Sequence, residues 1–342
     1  TTEVDAVHVA ERIVQSFLTS FDIAGHLVTA RASIGIAFGR AGSPAAEVLR
    51  EADAAMYTAK HRGKGVWQVF DPSMAGDGLL EIELRADLKH AVEAGGIRVV
   101  YQPIFELAGR RTIGVEALAR WTHPTRGDIE PSQFVPLAEA AELIVPLGRW
   151  VLQQACRTVQ GWRASVEGPD DLHLSVNISP RQLLHPTIVE DVRAALVDSG
   201  LEPAGLTLEI TEGVLVEEAG PSLAALEGLK SLGVRIAIDD FGTGYSSLSY
   251  LSRLPIDVLK IDRSFIADIG TSRQAAALVR SIVKIGQTLH LETVAEGIET
   301  EEQLERLIRL GAKLGQGYLF ARPLRAEDLA AQLGITESLG AA

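Results

Sequence analysis

Polar side chains that could bind a metal ion or transfer a proton recur at the ends of short apolar segments in the last two-thirds of the chain. The segments end at the following residues: Glu116, Asn177, Glu209, Asp239 with Asp240, Lys260, Glu296 and Gln316. Most of these side chains offer carboxylate or amide oxygens, which suit hard cations such as Mg²⁺ and Mn²⁺. Zinc usually prefers His or Cys, and these positions contain neither. The set predicts a divalent-cation site that activates water.

The adjacent carboxylates of Asp239 and Asp240 are the strongest element of this prediction. Two carboxylates so close in sequence repel each other unless a cation or a proton lies between them. A solvated turn is the alternative, because Asp is common in turns and Gly242 follows. The metal hypothesis is favoured because three further ligands belong to neighbouring segment ends: Glu116, Asn177 and Glu209. Two ions about 3.5–4 Å apart could then share Asp239 as a ligand and activate a water molecule that bridges them.

Lys260 and Glu296 are the candidates for handling charge and protons. A lysine pointing into a barrel mouth could stabilise the attacking water or a developing oxyanion. Its alternative is a structural ion pair with Asp262 or another nearby acid. The alternative for Glu296 is a structural role, in which its negative charge is stabilised by the N-terminus of the following helix. That role suits Glu299 better, because Glu299 lies three residues further along the chain.

Glu212 follows Glu209 by three residues, so strand parity puts the two on opposite faces. Glu212 should therefore not share a metal with Glu209. It could instead accept hydrogen bonds from Thr243, Ser246 or backbone N–H groups of the loop 241–247, which it would anchor. The alternative is a surface glutamate that caps the following helix.

Strand-like and helix-like segments alternate between residues 97 and 335. This alternation predicts a parallel sheet with crossover helices, and specifically a (β/α)8 barrel whose active site lies at the C-terminal ends of the strands. The candidate residues repeatedly lie opposite the aliphatic ones. Along TIGVEAL, for example, Glu116 shares a face with Gly114, and Ile113 should lie on the other face.

The preceding sequence divides into two parts. Residues 1–73 have the pattern of a small α/β segment, and residues 74–96 form a turn-rich linker followed by an amphipathic helix over 79–94. The barrel itself is expected over 97–335.

Composition excludes some functions. The net charge is −13, which disfavours sequence-independent binding to duplex nucleic acid and contact with anionic membranes. The single cysteine, Cys156, excludes a disulfide within the chain. No secretory signal or membrane span is apparent in the sequence, so we expect a cytoplasmic segment whose parent protein could be anchored upstream.

From about residue 79 to 335 the chain closely resembles the EAL domain of bacterial cyclic-di-GMP phosphodiesterases. The matching segments are, in order, Tyr101-Gln102-Pro103-Ile104, Glu116-Ala117-Leu118-Ala119-Arg120-Trp121, His123-Pro124, Val176-Asn177-Ile178-Ser179, Glu209-Ile210-Thr211-Glu212, Asp239-Asp240-Phe241-Gly242-Thr243-Gly244, Leu259-Lys260-Ile261-Asp262, Ala295-Glu296-Gly297-Ile298-Glu299 and Gln316-Gly317-Tyr318. The resemblance implies a TIM-like barrel whose first strand is antiparallel to the rest.

The resemblance also implies roles for individual residues. Two divalent ions, Mg²⁺ or Mn²⁺, would be bound by Glu116, Asn177, Glu209, Asp239 and Asp240. Either Lys260 or Glu296 would be the general base, with Asp262, Glu299 and Gln316 close by. The dinucleotide would be contacted by Gln102, Leu118 and Arg120. Ca²⁺ would bind but inhibit, and the barrel would form a homodimer.

Residues 1–73 resemble the C-terminal part of a GGDEF domain. The similarity rests on Ala32-Ser33-Ile34-Gly35-Ile36-Ala37 and on residues 52–60, Ala52-Asp53-Ala54-Ala55-Met56-Tyr57-Thr58-Ala59-Lys60. The signature loop of that family is absent from these residues and is expected just before residue 1, so no cyclase activity is expected. The sequence thus implies hydrolysis of cyclic-di-GMP to linear pGpG. The alternatives are a cyclic-di-GMP receptor with little turnover and another metal-dependent barrel enzyme.

Overall fold

The computed structural model describes residues 3–17, 21–23, 26–28, 32–39, 43–61, 65–72, 77–165, 171–213, 219–243, 251 and 253–335. The chain divides into two compact units, Thr1–Asp87 and Leu88–Ala342. The division falls within helix α3 (Asp77–Ala94), which covers the helix predicted over 79–94. Within the part of the chain that the structure describes, none of the helices has both the length and the apolar character needed to cross a membrane.

The first unit is a small α/β arrangement. Its elements before α3 are α1 (Glu3–Ser16), β1 (Phe21–Ile23), β2 (His26–Val28), β3 (Ile34–Ile36), α2 (Ala45–His61) and β4 (Trp67–Val69). β1 and β2 form an antiparallel pair, and β3 and β4 form a parallel pair. At Gly35 a Cβ atom would lie 1.9 Å from the carbonyl oxygen of Ala52, so only glycine allows α2 to approach β3 this closely.

The second unit is a closed barrel of eight strands. The strands that follow α3 are β5 (Ile97–Glu106), β6 (Arg111–His123), β7 (Gly127–Ile129), β8 (His173–Asn177), β9 (Leu206–Thr211), β10 (Arg235–Phe241), β11 (Val258–Ile261), β12 (Glu292–Ala295) and β13 (Leu314–Gly315). The ring runs β5-β13-β12-β11-β10-β9-β8-β6 and closes through pairing of β5 with β6, while β7 pairs with β6 outside the ring. β5 is antiparallel to both of its neighbours, and the other ring pairings are parallel. The predicted TIM-like barrel with an antiparallel first strand is therefore confirmed.

Helices connect the strands of the barrel. They are α4 (Pro131–Ala140), α5 (Ile144–Arg163), α6 (Pro180–Leu183), α7 (Ile188–Ser199), a 3₁₀ turn (Pro203–Gly205), α8 (Ala219–Ser231), α9 (Arg263–Ala267), α10 (Arg273–Leu289), α11 (Glu301–Leu310) and α12 (Ala326–Gln332). α11 begins with a capping box, in which the Thr300 side chain accepts from the Gln303 N–H and the Gln303 side chain accepts from the Thr300 N–H. This cap fixes the segment between β12 and α11, which carries Glu296.

Part of the barrel interior is an apolar cluster. Ile104, Ala237, Val258 and Val294 pack together there, and Ile113 packs against them. The prediction that Ile113 lies on the face opposite Glu116 is wrong. The pairing of β5 with β6 shifts register at Ile104, leaving Ile113 as an extra residue of β6. Such a β-bulge interrupts the two-residue alternation and turns the side chain inward.

Candidate active site

A buried lysine surrounded by carboxylates forms the centre of the site. Lys260, on β11, is 1% exposed. Its Nζ atom lies 2.6 Å from Glu209 Oε2, 2.7 Å from Glu296 Oε1, 3.2 Å from Asp239 Oδ1 and 3.6 Å from Glu116 Oε2. The residues come from five different segments of the barrel, so closure of the ring brings them together.

Glu116 is held by two amide side chains. Asn177 Nδ2 donates to Glu116 Oε1 over 2.7 Å, and Gln316 Nε2 donates to Glu116 Oε2 over 2.6 Å. Gln316 Nε2 also lies 3.1 Å from Glu296 Oε1, whereas its own Oε1 is buried without a hydrogen-bond partner among the described residues. Glu116 is not at a strand end as expected, because β6 continues to His123 while pairing with β5 and β7.

Asp239 and Asp240 lie at an irregularity of β10. Ile238 pairs with Leu259 and Phe241 pairs with Ile261, so two residues of β10 stand opposite Lys260 alone. Asp240 has φ of 53°, a left-handed conformation that Asp tolerates better than most residues. As a result, ligand oxygens of Asp239, Asp240 and Glu296 all lie within 4.8 Å of one another. Regular strand alternation would have sent the two neighbouring aspartates to opposite faces.

The pKa values within the cluster are strongly perturbed. Burial would lower the pKa of Lys260, but the surrounding carboxylates, Glu116 first among them, raise it well above its ordinary value. Burial raises the pKa of Glu209 well above its ordinary value and that of Glu296 to about 8, with Lys260 opposing in both cases. For Glu116 burial acts in the same direction, but the charge of Lys260 and the donors Gln316 and Asn177 outweigh it and lower the pKa.

The carboxylates of the cluster outnumber its single ammonium group. Burial, followed by repulsion from Asp239 and Asp262, raises the pKa of Asp240 to about 6. Five carboxylates surround one ammonium group, so protons or cations must neutralise the excess.

Asp262 and Glu299 lie at the edge of this cluster. Asp262 caps α9 by accepting from the Ser264 N–H over 3.0 Å, and its repulsion contributes to the raised pKa of Asp240. Glu299 is exposed in the segment before α11, and among the described residues no hydrogen bond or ion pair joins its side chain to the carboxylate cluster.

The expected substrate-contacting residues follow Glu116 along β6 or lie beside it on β5. Gln102 pairs with Glu116 across the two strands, and its Nε2 atom lies 3.5 Å from the carbonyl oxygen of Ala321. Leu118 is partly buried. Arg120 is partly buried too, and its Nη1 atom donates to the Ala119 carbonyl over 2.9 Å.

Sequence reasoning gave no separate role to Tyr318. Its side chain is half exposed, and the guanidinium carbon of Arg322 lies 4.3 Å from the centre of its ring. The exposed aromatic ring follows Gln316 by two residues. The position of an aromatic residue two places after the candidate Gln316 is the sequence feature that could have identified Tyr318 as a site residue.

Glu212 lies just beyond β9 and is buried. Its Oε2 atom accepts a hydrogen bond from the backbone N–H of Gly242 over 3.0 Å. A backbone N–H of the loop is therefore one of the donors to Glu212. Thr243 instead donates through Oγ1 to the carbonyl oxygen of Asp240 over 2.8 Å. Ser246 and the rest of the loop beyond Thr243 lie outside the described residues.

Known families and proteins match this chain over both units. Residues 85–323 match the family model described as EAL domain, and residues 1–65 match that of the diguanylate cyclase GGDEF domain. The bifunctional diguanylate cyclase/cyclic di-GMP phosphodiesterase MucR of Pseudomonas aeruginosa is 45% identical over 96% of this chain and 48% of its own length. The cyclic di-GMP phosphodiesterase NbdA of the same organism is 38% identical over 95% of this chain and 41% of its own length. The chain thus spans about half the length, or less, of these curated relatives.

A solved structure described as the PaMucR phosphodiesterase in complex with c-di-GMP is also similar. It is 48% identical, with a TM-score of 0.69, and the match covers 72% of this chain and 99% of that one.

Proposed function

This chain belongs to the EAL-domain family, and on that premise we propose that its barrel hydrolyses cyclic-di-GMP to linear pGpG with bound divalent cations. The observation that carries the proposal is the convergence of Glu116, Glu209, Asp239 and Glu296 on Lys260. MucR and NbdA, both named as cyclic di-GMP phosphodiesterases, support the choice of substrate.

The donor set fits divalent cations. Asn177 uses its Nδ2 atom to hold Glu116, which leaves its Oδ1 atom available as a ligand. The excess of carboxylates over the single ammonium group calls for further positive charge. The residues that would hold the ions are Glu116, Asn177, Glu209, Asp239 and Asp240. Mg²⁺ or Mn²⁺ would supply Lewis-acid chemistry there and lower the pKa of water.

Glu296 is the stronger candidate for the general base. Its pKa is about 8 in the metal-free protein, and bound cations would lower it, so Glu296 could accept a proton near neutral pH. Lys260 has a pKa raised well above its ordinary value, so it remains a charged ammonium group. In this mechanism water attacks one phosphorus and its proton passes to Glu296. The bond between that phosphorus and the 3′ oxygen breaks, and the 3′ oxygen takes up a proton from solvent. Lys260 stabilises the negative charge that builds on the phosphoryl oxygens.

The remaining candidate residues would bind and orient the dinucleotide. Gln102, Leu118 and Arg120 would contact it from β5 and β6, with Asp262 and Gln316 nearer the reacting phosphate. Residues 97–335 would carry the reaction. The GGDEF-like residues 1–73 would make no cyclic-di-GMP from GTP.

A single-turnover assay tests the proposal. The protein in excess over cyclic-di-GMP, with Mg²⁺, should convert it to pGpG, and a chelator should stop the reaction. Binding of cyclic-di-GMP without conversion would instead indicate a receptor. If the protein neither binds nor converts cyclic-di-GMP but hydrolyses another phosphodiester, it is a different barrel enzyme.

We also propose that the barrel forms a homodimer, as the family resemblance implies. Light scattering after size-exclusion chromatography should give twice the chain mass of 36.6 kDa. A mass of one chain at micromolar concentration would reject the dimer without affecting the hydrolysis proposal.

A further inference from the structure

A cavity of about 70 Å³ lies inside the barrel below the carboxylate cluster. Glu209 and Lys260 line one end of it. Apart from Ile104 on the antiparallel β5, its other lining residues precede the cluster residues along their strands, as Thr207 precedes Glu209 and Val258 precedes Lys260. The cavity therefore extends from the cluster toward the N-terminal ends of the strands, away from the mouth where a substrate would bind.

Two buried hydroxyl groups line the middle of the cavity. Ser175 on β8 pairs directly with Thr207 on β9, and the two residues are 6% and 4% exposed. In the described part of the chain, no group forms a hydrogen bond with either hydroxyl. Both residues line the cavity, so a water inside it could supply the hydrogen bonds that polar groups in a protein interior need.

The far end of the cavity is polar as well. Arg235 and Glu292 form an ion pair there, and the neighbouring His173 has its Nδ1 atom buried with no hydrogen-bond partner among the described residues. Ile104, Ile113 and Val294 supply apolar walls in between. The cavity thus has polar groups at both ends and in the middle.

We propose that this cavity is a site for at least two resident water molecules. A water occupies roughly 30 Å³ in the liquid and usually needs two to four polar partners when buried. The volume accommodates two, and the hydroxyls of Ser175 and Thr207 supply their first partners.

These waters also complete the surroundings of Glu209. The two oxygens of the Glu209 side chain offer several hydrogen-bonding positions, and the Lys260 ammonium group occupies one of them over 2.6 Å. Water on the cavity side donates to the carboxylate from the direction opposite the mouth. The waters therefore belong to the internal support of the cluster, and they are distinct from a water that would attack a substrate.

The direct test is a crystal structure of the whole chain at high resolution. We expect two or more ordered waters between Glu209 and Arg235, with at least one within hydrogen-bond distance of Ser175 Oγ or Thr207 Oγ1. A cavity without electron density in a well-ordered barrel overturns the proposal.

Thermal unfolding gives a second test, because an isosteric substitution changes Tm in opposite directions for a wet and a dry cavity. Thr207→Val removes the hydroxyl while keeping the shape and favouring strand structure. If the hydroxyl binds water, Tm should fall by about 2–4 °C, which corresponds to one lost buried hydrogen bond. If the cavity is dry, Tm should stay the same or rise, because an unpaired buried hydroxyl is removed.

Thr207→Ser is the matched control, since it keeps the hydroxyl and removes one methyl group. Its crystal structure should keep the water that binds the hydroxyl, and a Thr207→Ser structure without that water overturns the proposal. Ser175→Ala tests the hydroxyl of the adjacent strand independently. Its crystal structure should lack the water that binds the Ser175 hydroxyl. Neither measurement uses turnover, so the outcome is separate from that of the phosphodiesterase proposal.

Discussion

The Nζ atom of Lys260 lies 2.6 Å from Oε2 of Glu209, and each side chain is no more than 2% exposed. Removing one partner of a buried ion pair leaves an uncompensated charge and typically costs about 3–5 kcal/mol. Lys260→Met should therefore destabilise the metal-free protein by about that amount, measured by denaturant unfolding. Added Mn²⁺ should recover part of the loss, because cations can neutralise the stranded carboxylates.

Lys230→Met is the matched control for this change. Lys230 pairs with Asp257 over 2.8 Å, but both side chains are about 30% exposed. Its loss should cost only about 0.2–1 kcal/mol and show no dependence on Mn²⁺. Equal losses for the two lysine variants would refute the role of Lys260 as counter-ion to the cluster.

Glu116→Gln should reduce turnover of cyclic-di-GMP by more than about 100-fold, beyond the ~10–100-fold typical of residues that only support a metal ligand. The change removes a charged ligand, and it also sets a new amide N–H₂ group against the donors of Asn177 and Gln316. Asp239→Asn should act in the same direction. Steady-state kinetics with Mg²⁺ measure the effect.

Glu305→Gln serves as the control, because Glu305 is exposed on α11 and pairs only at 3.5 Å with Arg309. Its turnover should match that of the unaltered protein. Circular dichroism should show the same fold in every variant. Turnover of Glu116→Gln at the unaltered level would reject the metal assignment.

Sequence patterns predicted the barrel and the members of the cluster. The alternation of side chains along a strand and the succession of strand-like and helix-like segments along the chain can both be read from the sequence alone. The inward direction of Ser175 follows directly from the spacing of the aliphatic residues in β8. The proximity of Asp239 to Asp240 could not be predicted, because it depends on the bulge opposite Lys260 and on the left-handed backbone at Asp240. The inward turn of Ile113 was missed for the same reason.

The raised pKa of Glu296 predicts how stability depends on pH in the metal-free protein. The value is about 8 in the folded chain against an ordinary 4.5. Between these pH values the folded protein holds more protons than the unfolded chain, so its stability should fall as pH rises from 4.5 to 8. Asp240, with a pKa of about 6, adds to the lower part of this range. Thermal unfolding across this range, with a chelator present, measures the slope.

Glu296→Gln should flatten that slope, because the amide does not titrate. A slope unchanged by the substitution would assign the pH dependence to other groups. Since cations displace protons from the cluster, Mn²⁺ affinity of the unaltered protein should also rise across the same range. Calorimetric titration at pH 6 and pH 8 checks this second consequence.

Divalent ions that bind the cluster should differ in whether they support hydrolysis of cyclic-di-GMP. We expect Mg²⁺ and Mn²⁺ to support hydrolysis and Ca²⁺ to bind without supporting it. Ca²⁺ takes longer bonds and looser geometry, so it should misplace the attacking water. Hydrolysis should be measured for each ion, with Ca²⁺ also added against Mg²⁺. Equal turnover in Ca²⁺ and Mg²⁺ would contradict the geometric argument.

Glu212→Ala should lower kcat more than tenfold and weaken Mn²⁺ affinity. Because the hydrogen bond that it removes is buried, Tm should also fall, by about 2–4 °C. Glu212 accepts from the Gly242 N–H over 3.0 Å, and Gly242 lies two residues after Asp240, whose backbone is left-handed. Loosening that bond should shift the ligands of β10 by an ångström or so, enough for a large loss of rate. Glu212→Gln keeps an acceptor for Gly242 and should recover much of the activity. If Glu212 only caps a helix, Glu212→Ala should keep both kcat and Mn²⁺ affinity, whatever its effect on Tm.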